Sequence, residues 1–239
     1  MFAICFREIR SFLSSLTGYL VIAVFLIING LMLWFFDGSY NVLNGNYADL
    51  APFFYLSPLV LVFLIPAVAM RSFSEEIKQG TIELLLTKPL SVWQIVLGKY
   101  FGVLSLIILS ILPTVVYVWI LEGYIIDGQY FDYGSLIGSY FGLLFLAAMY
   151  ASMGVFASSL SDNQIVAFIL GALLCLFLSF GIDLLSSVAQ SGILEQFGVQ
   201  YHFRSISRGV IDTRDLVYFI SVSFLFLSLT VLRIKSLRR

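Results

Sequence analysis

The sequence predicts an all-α integral membrane protein. It has six transmembrane helices, an amphipathic N-terminal interfacial helix, and a short helix outside the membrane between spans two and three. Two observations carry this prediction. The mean hydropathy is +1.00, with 60% apolar and only 11% charged residues, about half the charged fraction of a typical water-soluble domain. The charges are also clustered, because seven of the 27 (13 Lys and Arg plus 14 Asp and Glu) lie in residues 71–99.

Six uncharged apolar runs are long enough to cross a bilayer core of about 30 Å, which takes about 20 helical residues. The first run follows a charged amphipathic leader and lacks a small-residue cleavage pattern, so we interpret it as a retained span and not a signal peptide. We expect residues 1–239 to form a single transmembrane domain. The predicted spans are residues 19–36, 52–70, 100–121, 134–158, 164–182 and 216–232.

The leader FAICFREIRSFLSSL has the pattern of a helix that lies in the membrane interface. One helical face carries Phe2, Phe6, Ile9, Leu13 and Leu16. The other carries Arg7, Glu8, Arg10, Ser11 and Ser14. An ordinary hydrated tail is the alternative interpretation.

The distribution of Lys and Arg predicts the orientation, since short loops rich in these residues stay cytoplasmic. With both termini inside, ten basic residues lie on the inner side and three on the outer side, which predicts that residues 71–99 and both termini are cytoplasmic. The inner ten are Arg7, Arg10, Arg71, Lys78, Lys88, Lys99, Arg233, Lys235, Arg238 and Arg239, and the outer three are Arg204, Arg208 and Arg214.

Small residues line one face of span four, where Gly134, Gly138 and Gly142 recur every four residues. Such a face lets helices approach closely in lipid. Two interpretations stay open, packing within the six spans or a dimer seam, and the same spacing at Gly171 and Cys175 in span five favours the first.

The spans lack the chemistry of an ion-driven transporter, which places carboxylates, histidines or lysines near the bilayer midplane. Asp183 and Glu122 lie at predicted outer ends of spans. Asn29 is an amide near the middle of span one, and both a pore and a helix-packing contact explain it. The sequence therefore predicts that any work done by the protein draws its energy from another molecule.

Catalytic and metal-binding patterns are also missing from the sequence. His202 is the single histidine, and we expect it to be a surface residue at the outer interface and not a catalyst. The Gly98–Lys99 pair lacks the preceding glycine of a phosphate-binding loop. Cys5 and Cys175 lie too far apart in the predicted topology for a disulfide. We expect no catalytic residue, metal, cofactor or nucleic-acid partner.

The loop RSFSEEIKQGTIELLLTKPLSVWQIVLGK begins with an ambiguous segment. Ser72 and Glu75 form a capping-box pattern. Alternatively, the segment extends span two, with Arg71 and Glu75 paired four residues apart. Gly80 is a natural helix end in either case.

A second short helix follows, with Thr81 as its predicted cap and Glu83 in its first turn, the favoured sign at that end. Pro89 ends this helix, and Ser91 caps the next one, which leads into span three. The short helix is apolar at Ile82, Leu84, Leu85 and Leu86. This surface must be buried against the protein's own spans, lipid headgroups or a partner protein, and the pattern alone leaves these open.

The stretch EEIKQGTIELLLTKPLSVWQIVLGK resembles the signature of the type-two (ABC-2) family of ABC transporter permeases. The matching positions are Glu75, Glu76, Gly80, Thr81, Glu83, Leu84, Leu85, Pro89 and Lys99. The resemblance implies that the loop holds a coupling helix, which docks on a separate cytoplasmic ATPase. The docking surface would be Thr81, Ile82, Glu83, Leu84, Leu85, Leu86, Thr87 and Lys88.

A narrower resemblance is to the permease subunit of the gliding-motility ABC transporter of bacteria, through FLSSLTGYLVIAVFLIINGLMLWFF and YHFRSISRGVIDTRDLVYFISVSFLFLSLT. Leu16 departs from it, standing where a proline is usual. The resemblance implies an exporting subunit of the bacterial inner membrane that works with a second permease copy or another membrane subunit. The alternative is a non-transporting scaffold that passes ATPase-driven movement to an envelope component.

The outer stretch before span six is predicted to form an amphipathic helix at the outer surface. Its apolar residues are Phe203, Ile206, Val210 and Ile211, and its basic residues are Arg204 and Arg208. Two roles stay open, a lipid-headgroup anchor, and the lid or re-entrant element that the resemblance implies.

Overall fold

The computed structural model describes residues 1–42, 49–87, 89–123, 132–190, 195–209 and 212–237, with only the backbone of Leu86. All regular structure in these residues is helical, as the sequence predicts. The helices are α1 (Phe2–Ser14), α2 (Leu16–Trp34), α3 (Ala51–Ala69), α4 (Arg71–Lys78), α5 (Ile82–Leu86), α6 (Val92–Ile111), α7 (Val115–Glu122), α8 (Tyr133–Leu160), α9 (Gln164–Leu176), α10 (Ile182–Ala189), α11 (Val199–Ser207) and α12 (Thr213–Ser236).

Six helical stretches are long and apolar enough to cross a membrane, which confirms the six predicted spans. The helices extend beyond the apolar runs, because helical hydrogen bonding continues into polar sequence. Lys99 therefore lies inside the third helical stretch, eight residues beyond its cap at Ser91. The stretches are Leu16–Trp34, Ala51–Lys78, Val92–Glu122, Tyr133–Leu160, Gln164–Ala189 and Thr213–Ser236.

Two of these stretches contain irregular turns. A 3₁₀ turn at Leu112–Thr114, which contains Pro113, separates α6 from α7, since proline lacks the N–H that an α-helix needs. A π turn at Phe177–Gly181 separates α9 from α10. Pro58 and Pro66, by contrast, lie inside an uninterrupted α3.

The bundle is built around α3 and α8. Gly154 of α8 lies against α3, where an added Cβ would be 2.7 Å from the Cβ of Ala69. Gly171 of α9 packs in the same way against Pro66. These close approaches place α3, α8 and α9 side by side, as small residues do in lipid-embedded bundles.

The glycines of span four pack against another part of the same chain. A Cβ on Gly138 would be 2.7 Å from the carbonyl oxygen of Ile206, and a Cβ on Gly142 would be 3.4 Å from the ring of Phe203. Both contacts join α8 to α11. The packing interpretation is therefore correct for these two positions.

Asn29 makes a helix-packing contact and is fully buried. Its side-chain amide donates to the carbonyl oxygen of Phe25 at 2.8 Å and accepts from the Ser57 hydroxyl at 3.1 Å. The contact joins α2 to α3 and satisfies both polar ends of the amide.

The leader forms α1, with Phe2 and Phe6 exposed as an interfacial helix requires. The helix ends at Ser14, so Leu16, predicted on its apolar face, is the first residue of α2 instead. The opposite side of α1 is not fully exposed to solvent. Ile4 and Phe12 are buried against the bundle, and Glu8, predicted on the polar face, points toward α6.

Six alternating spans give the bundle two ends. We call one the α5 end, which carries α1, α4, α5 and the C-terminal end of α12. The other, the far end, carries α11 and the N-terminal ends of α3 and α8. At the far end, Phe203 and Ile206 of α11 are buried against α8, whereas Arg204 and Arg208 are exposed. Val210 and Ile211 lie outside the described residues.

The expectation of a surface His202 is wrong. The imidazole is buried, its Nδ1 lies 2.6 Å from Oδ1 of the buried Asp215, and its Nε2 lies 2.9 Å from the carbonyl oxygen of Gln196. The ring also stacks on Tyr218, with 4.1 Å between centroids. The pairing was hidden because Asp215 is 13 residues away and belongs to the next helix.

Candidate functional site

The segment predicted to carry function forms two short helices at the α5 end. Only Met70 separates α3 from α4, so α4 continues span two, and the extension interpretation of this segment is correct. Gly80 ends this stretch with φ of +68°. In the part of the chain that the structure describes, no atom lies within 4 Å of a Cβ built on Gly80, so the glycine is required there by backbone conformation and not by space.

A serine from α8 holds the junction between α3 and α4. The Ser158 hydroxyl accepts from the backbone N–H groups of Phe73 at 2.9 Å and Ser74 at 3.1 Å, and it donates to the carbonyl oxygen of Met70 at 2.7 Å. A side chain inserted into the helical hydrogen-bond ladder is a recognised origin of a helix break. Ser158 therefore couples this junction directly to the central helix α8.

The short helix α5 has an anchored face and an exposed face. Ile82 and Leu85 are 7% and 5% exposed, whereas Leu84 is 67% exposed and Glu83 also faces outward. The i, i+3 spacing puts the two buried residues on one side of the helix. Because its own spans cover only part of α5, an apolar and an acidic side chain remain available to another molecule.

Charged side chains from three helices meet beneath α4. Nζ of Lys99 lies 2.9 Å from Oε1 of Glu76 and 3.4 Å from Oε1 of Glu8, and it donates to the carbonyl oxygen of Ser72. Nη2 of Arg7 bridges the same two carboxylates at 3.1 and 3.0 Å. We call Arg7, Glu8, Glu76 and Lys99 the ion cluster.

The centre of the ion cluster is buried, which makes its ion pairs costly to break. Lys99 is only 2% exposed, and one partner of such a pair is costly to remove because the other charge is left unpaired. Burial by itself would lower the pKa of the Arg7 guanidinium, but Glu8 and Glu76 outweigh it and raise that pKa. Oε2 of Glu76 is buried and has no hydrogen-bond partner among the described residues. The cluster joins α1, α4 and α6.

Two glycines allow α1 to reach this cluster. A Cβ on Gly98 would be 2.8 Å from the Cβ of Ile4, and a Cβ on Gly102 would be 2.6 Å from the Cβ of Glu8. Real Cβ atoms do not approach so closely, so any larger residue would push α1 away from α6. The glycines flank Lys99 and thus allow its ion pair with Glu8.

Two predicted caps are wrong. The residue before α4 is Met70, which makes no side-chain cap, and Ser72 lies inside the helix. Thr81 precedes α5 in helical geometry without a side-chain cap. Its hydroxyl donates to the carbonyl oxygen of Glu76 at 3.4 Å, because the Gly80 turn brings it back over α4. The cap at Ser91 is confirmed as a full capping box with Gln94.

The ion pair proposed between Arg71 and Glu75 does not form among the described residues. The Arg71 guanidinium donates to the Thr17 hydroxyl at 2.7 Å and lies 4.8 Å from the centroid of the Phe12 ring. It therefore connects α4 to the junction of α1 and α2, which the local i, i+4 rule could not anticipate.

The structure brings some of the predicted site residues together and separates others. Glu76 and Lys99 meet in the ion cluster, and Glu83 and Leu84 lie on the exposed face of α5. Thr87 and Pro89 are also exposed. Lys88 and the Leu86 side chain lie outside the described residues.

Sequence reasoning missed the ion cluster as a unit, together with Ser158. One signal was present, since Lys99 stands directly before an uncharged span and needs a partner in that position. The choice of Glu76 and Glu8 as partners depends on contacts across 23 and 91 residues, which no local pattern specifies. Among the described residues, no group of three or more His, Cys, Asp or Glu is arranged to hold a metal.

The family of the chain follows from a comparison with known proteins. Residues 44–201, about two thirds of the chain, match the model of a protein family described as 'ABC-2 family transporter protein'. That range covers α3 to α10, the α4–α5 segment and the start of α11. No curated protein matches the chain significantly. The six-span bundle and this match together make the chain a member of the ABC-2 family, and so a membrane permease subunit of an ABC transporter.

Proposed function

We propose that α5 is the coupling helix of this permease and docks on a separate cytoplasmic ABC ATPase through Thr81–Lys88. The supporting observation is the division of α5 into two faces. Ile82 and Leu85 fix the helix to the bundle, while Glu83 and Leu84 project from it. A small apolar pocket with a nearby cation on the ATPase would complement these two side chains.

Movement of α5 is transmitted to the spans through two connections. Glu76 of α4 carries it to α1 and α6 through the ion cluster, and Ser158 carries it from the α3–α4 junction to α8. Each connection has a buried side chain at its centre, Lys99 in the first and Ser158 in the second, and buried polar contacts resist local deformation better than exposed ones. The permease thus responds to the ATPase as a lever attached at α4.

The chain lies in the bacterial inner membrane with both termini in the cytoplasm. The ten-to-three distribution of Lys and Arg supports this orientation, which puts α5 on the same side as ATP. Residues 1–239 act as one transmembrane domain. A second permease copy or another membrane subunit completes the complex, because six spans enclose little of a path alone.

The complex exports a substrate and serves gliding motility, as the resemblance in the first and last spans suggests. A second candidate is a non-transporting scaffold that passes ATPase-driven movement to an envelope component. Substrate-stimulated ATP hydrolysis in the reconstituted complex is expected for the exporter. Its absence, together with a stable envelope partner, would favour the scaffold.

Docking is tested by co-purification of the ATPase from the native membrane with variants of the full chain. Glu83→Lys combined with Leu84→Ala should reduce the recovered ATPase at least ten-fold, corresponding to about 1.4 kcal/mol or more. Asp162→Lys combined with Phe6→Ala is the matched control, since both are exposed residues at the α5 end outside the docking segment. Equal recovery of the ATPase with both double variants would refute the docking role of α5.

A further inference from the structure

A second candidate site lies at the far end of the bundle, where residues of α3, α8 and α11 and their flanking turns line a cavity of about 420 Å³ that opens to the surface. This volume falls in the range of small-molecule sites, about 300 to 1,000 Å³. Arg204 and Arg208 contribute its basic groups, and Asp49 and Asp132 contribute its acidic groups. Phe54 and Leu136 provide part of its apolar wall.

The charges of the cavity lie on different helices and do not neutralise each other by contact. Arg204 belongs to α11, and Arg208, about one turn later, is the residue directly after its C-terminal end, whereas the aspartates precede the N-terminal ends of α3 and α8. Among the described residues, no ion pair joins either arginine to either aspartate. The cavity therefore presents two positive and two negative groups to whatever occupies it.

Each aspartate accepts a hydrogen bond from a backbone N–H at the start of a helix. Asp132 is the N-cap residue of α8, whereas Asp49 stands one residue before Leu50, the N-cap residue of α3. Oδ1 of Asp49 accepts from the N–H of Ala51 at 3.0 Å, and Oδ1 of Asp132 accepts from the N–H of Ser135 at 3.1 Å. A carboxylate has a second oxygen and further lone pairs, so a cationic ligand group can still bind. These two hydrogen bonds also fix the positions of the two negative charges.

The basic wall is held in place by α8. The hydroxyls of Ser135 and Ser139 donate to the carbonyl oxygen of Ser207 at 2.7 and 3.2 Å, at the C-terminal end of α11. Gly138 permits this close contact. Arg204 and Arg208 thus project from a helix whose backbone is fixed, while their exposed heads also line a second cavity of about 360 Å³ beside Asp183 and Glu195.

From this arrangement we propose that the cavity binds the headgroup of a zwitterionic phospholipid, such as phosphatidylethanolamine. The phosphate contacts Arg204 and Arg208, since guanidinium groups bind phosphate in two-pronged geometry. The ammonium contacts Asp49 and Asp132. A purely anionic headgroup would satisfy the arginines but would leave its remaining surface beside two carboxylates.

The apolar part of the cavity suits the glycerol and upper acyl region of the same lipid. Phe54 and Leu136 line it, and Tyr55 beside them is 64% exposed at the surface of α3. Aromatic residues with a polar tip are typical of the membrane–water interface. We therefore expect this wall of the cavity to lie at the level of the lipid headgroups.

Lipid binding is measured by native mass spectrometry of the purified full chain, titrated with phosphatidylethanolamine, phosphatidylglycerol or free O-phosphoethanolamine. We expect phosphatidylethanolamine to bind at least five-fold more tightly than phosphatidylglycerol. Weaker binding of O-phosphoethanolamine identifies the lipid as the source of the headgroup. Equal or preferential binding of phosphatidylglycerol would overturn the proposal, as would tighter binding of O-phosphoethanolamine. The assay needs no ATPase, so its result is independent of the proposed docking role of α5.

Two sets of variants locate the site. Arg204→Gln with Arg208→Gln should weaken phosphatidylethanolamine binding at least five-fold, whereas Arg214→Gln, exposed on α12 and outside both cavities, should leave it within two-fold. Asp49→Asn with Asp132→Asn keeps an accepting side-chain oxygen for the N–H groups of Ala51 and Ser135, because Asn and Asp serve equally well at helix starts, and should shift the preference toward phosphatidylglycerol. Unchanged binding and preference in both sets would overturn the assignment.

Discussion

At the α5 end, charged side chains from three helices meet around the buried Lys99, whereas at the far end Arg204 and Arg208 face an open cavity. The first arrangement leaves its central charge no access to water and fixes the helices relative to one another. The second leaves charges of both signs apart, ready for a ligand. Charged residues are few in this mostly apolar chain, and the two ends hold different ones, which are packed against each other at the α5 end and face a cavity at the far end.

The far end also contains a buried pair, His202 with Asp215, and this pair allows a closer comparison of the two ends of the bundle. This pair joins α11 to α12, but unlike the ion cluster it does not reach α4 or α5. We therefore expect stability to depend on charged residues at both ends, and ATPase coupling to depend on those at the α5 end alone.

The largest effect is expected from Lys99→Met. The substitution leaves Glu76 and Glu8, whose side chains are 17% and 16% exposed, with only Arg7 to neutralise them. Removing one partner of a fully buried ion pair costs about 3–5 kcal/mol of stability, and we expect a loss of up to that size. Thermal unfolding of the purified chain in detergent measures the loss. Lys78→Met, at an exposed position of the same segment, is the control. If both variants unfold at the same temperature, the ion cluster does not hold the α5 end together.

A smaller effect is expected from Gly102→Ala, because the new methyl group would lie 2.6 Å from the Cβ of Glu8. Overpacking of this kind costs roughly 1–3 kcal/mol. Thermal unfolding and protease sensitivity of α1 would both report the displacement. Gly38→Ala, at a position where none of the residues that the structure describes lies within 4 Å of an added Cβ, should change neither. A stable variant with protected α1 would contradict the close docking of α1 on α6.

A comparable or slightly smaller loss is expected at the far end from His202→Phe. Phenylalanine can retain the stacking on Tyr218 but leaves the carboxylate of Asp215 without its partner, which costs about 1–3 kcal/mol. Tyr201→Phe, at the exposed neighbouring position, is the control. Thermal unfolding of the two variants measures the loss. If His202 were a surface residue, its substitution would change stability by no more than about 0.5 kcal/mol, and that result would contradict the buried pair.

The smallest effect is expected from Gly80→Ala, since only backbone conformation is affected. A non-glycine residue at φ of +68° costs about 1–2 kcal/mol, and the loss falls on the α4–α5 turn and not on the bundle. Hydrogen exchange of α5 should accelerate while the unfolding temperature of the bundle changes little. Gln79→Ala, beside it in ordinary helical geometry, should leave the exchange unchanged.

Much of the fold was predictable from composition and local pattern. The six spans follow from uncharged apolar runs, and the break at Gly80 and the cap at Ser91 follow from the backbone preferences of Gly and Ser. The break and the cap depend on residues within one turn of each other, and each span depends on one continuous apolar run. For the same reason the predictions at Ser72 and Thr81 were wrong, because each had a plausible local pattern that a tertiary contact or a continuing helix overrode.

The candidate site was predicted as a segment but not as an arrangement. The sequence pointed to Glu83 and Leu84 together with Ile82 and Leu85, and it could not tell which pair would be exposed. That choice depends on where the spans end at the α5 end of the bundle. Likewise, the pattern of α11 was visible as an amphipathic helix, but the cavity beside it requires α3 and α8, which are distant in the chain.

The sequence by itself determined that this is an all-helical membrane protein with six spans and a charged, helical segment between the second and third, because bilayer thickness and helix geometry leave few other solutions for such runs. Only the tertiary structure decided which charges meet. Lys99 pairs with Glu76 and Glu8, and His202 pairs with Asp215, whereas Arg204 and Arg208 have no ion-pair partner among the described residues. The physical reason is that ion pairing depends on distances of a few ångströms between helices, and these are set by the packing of glycines and apolar side chains throughout the bundle.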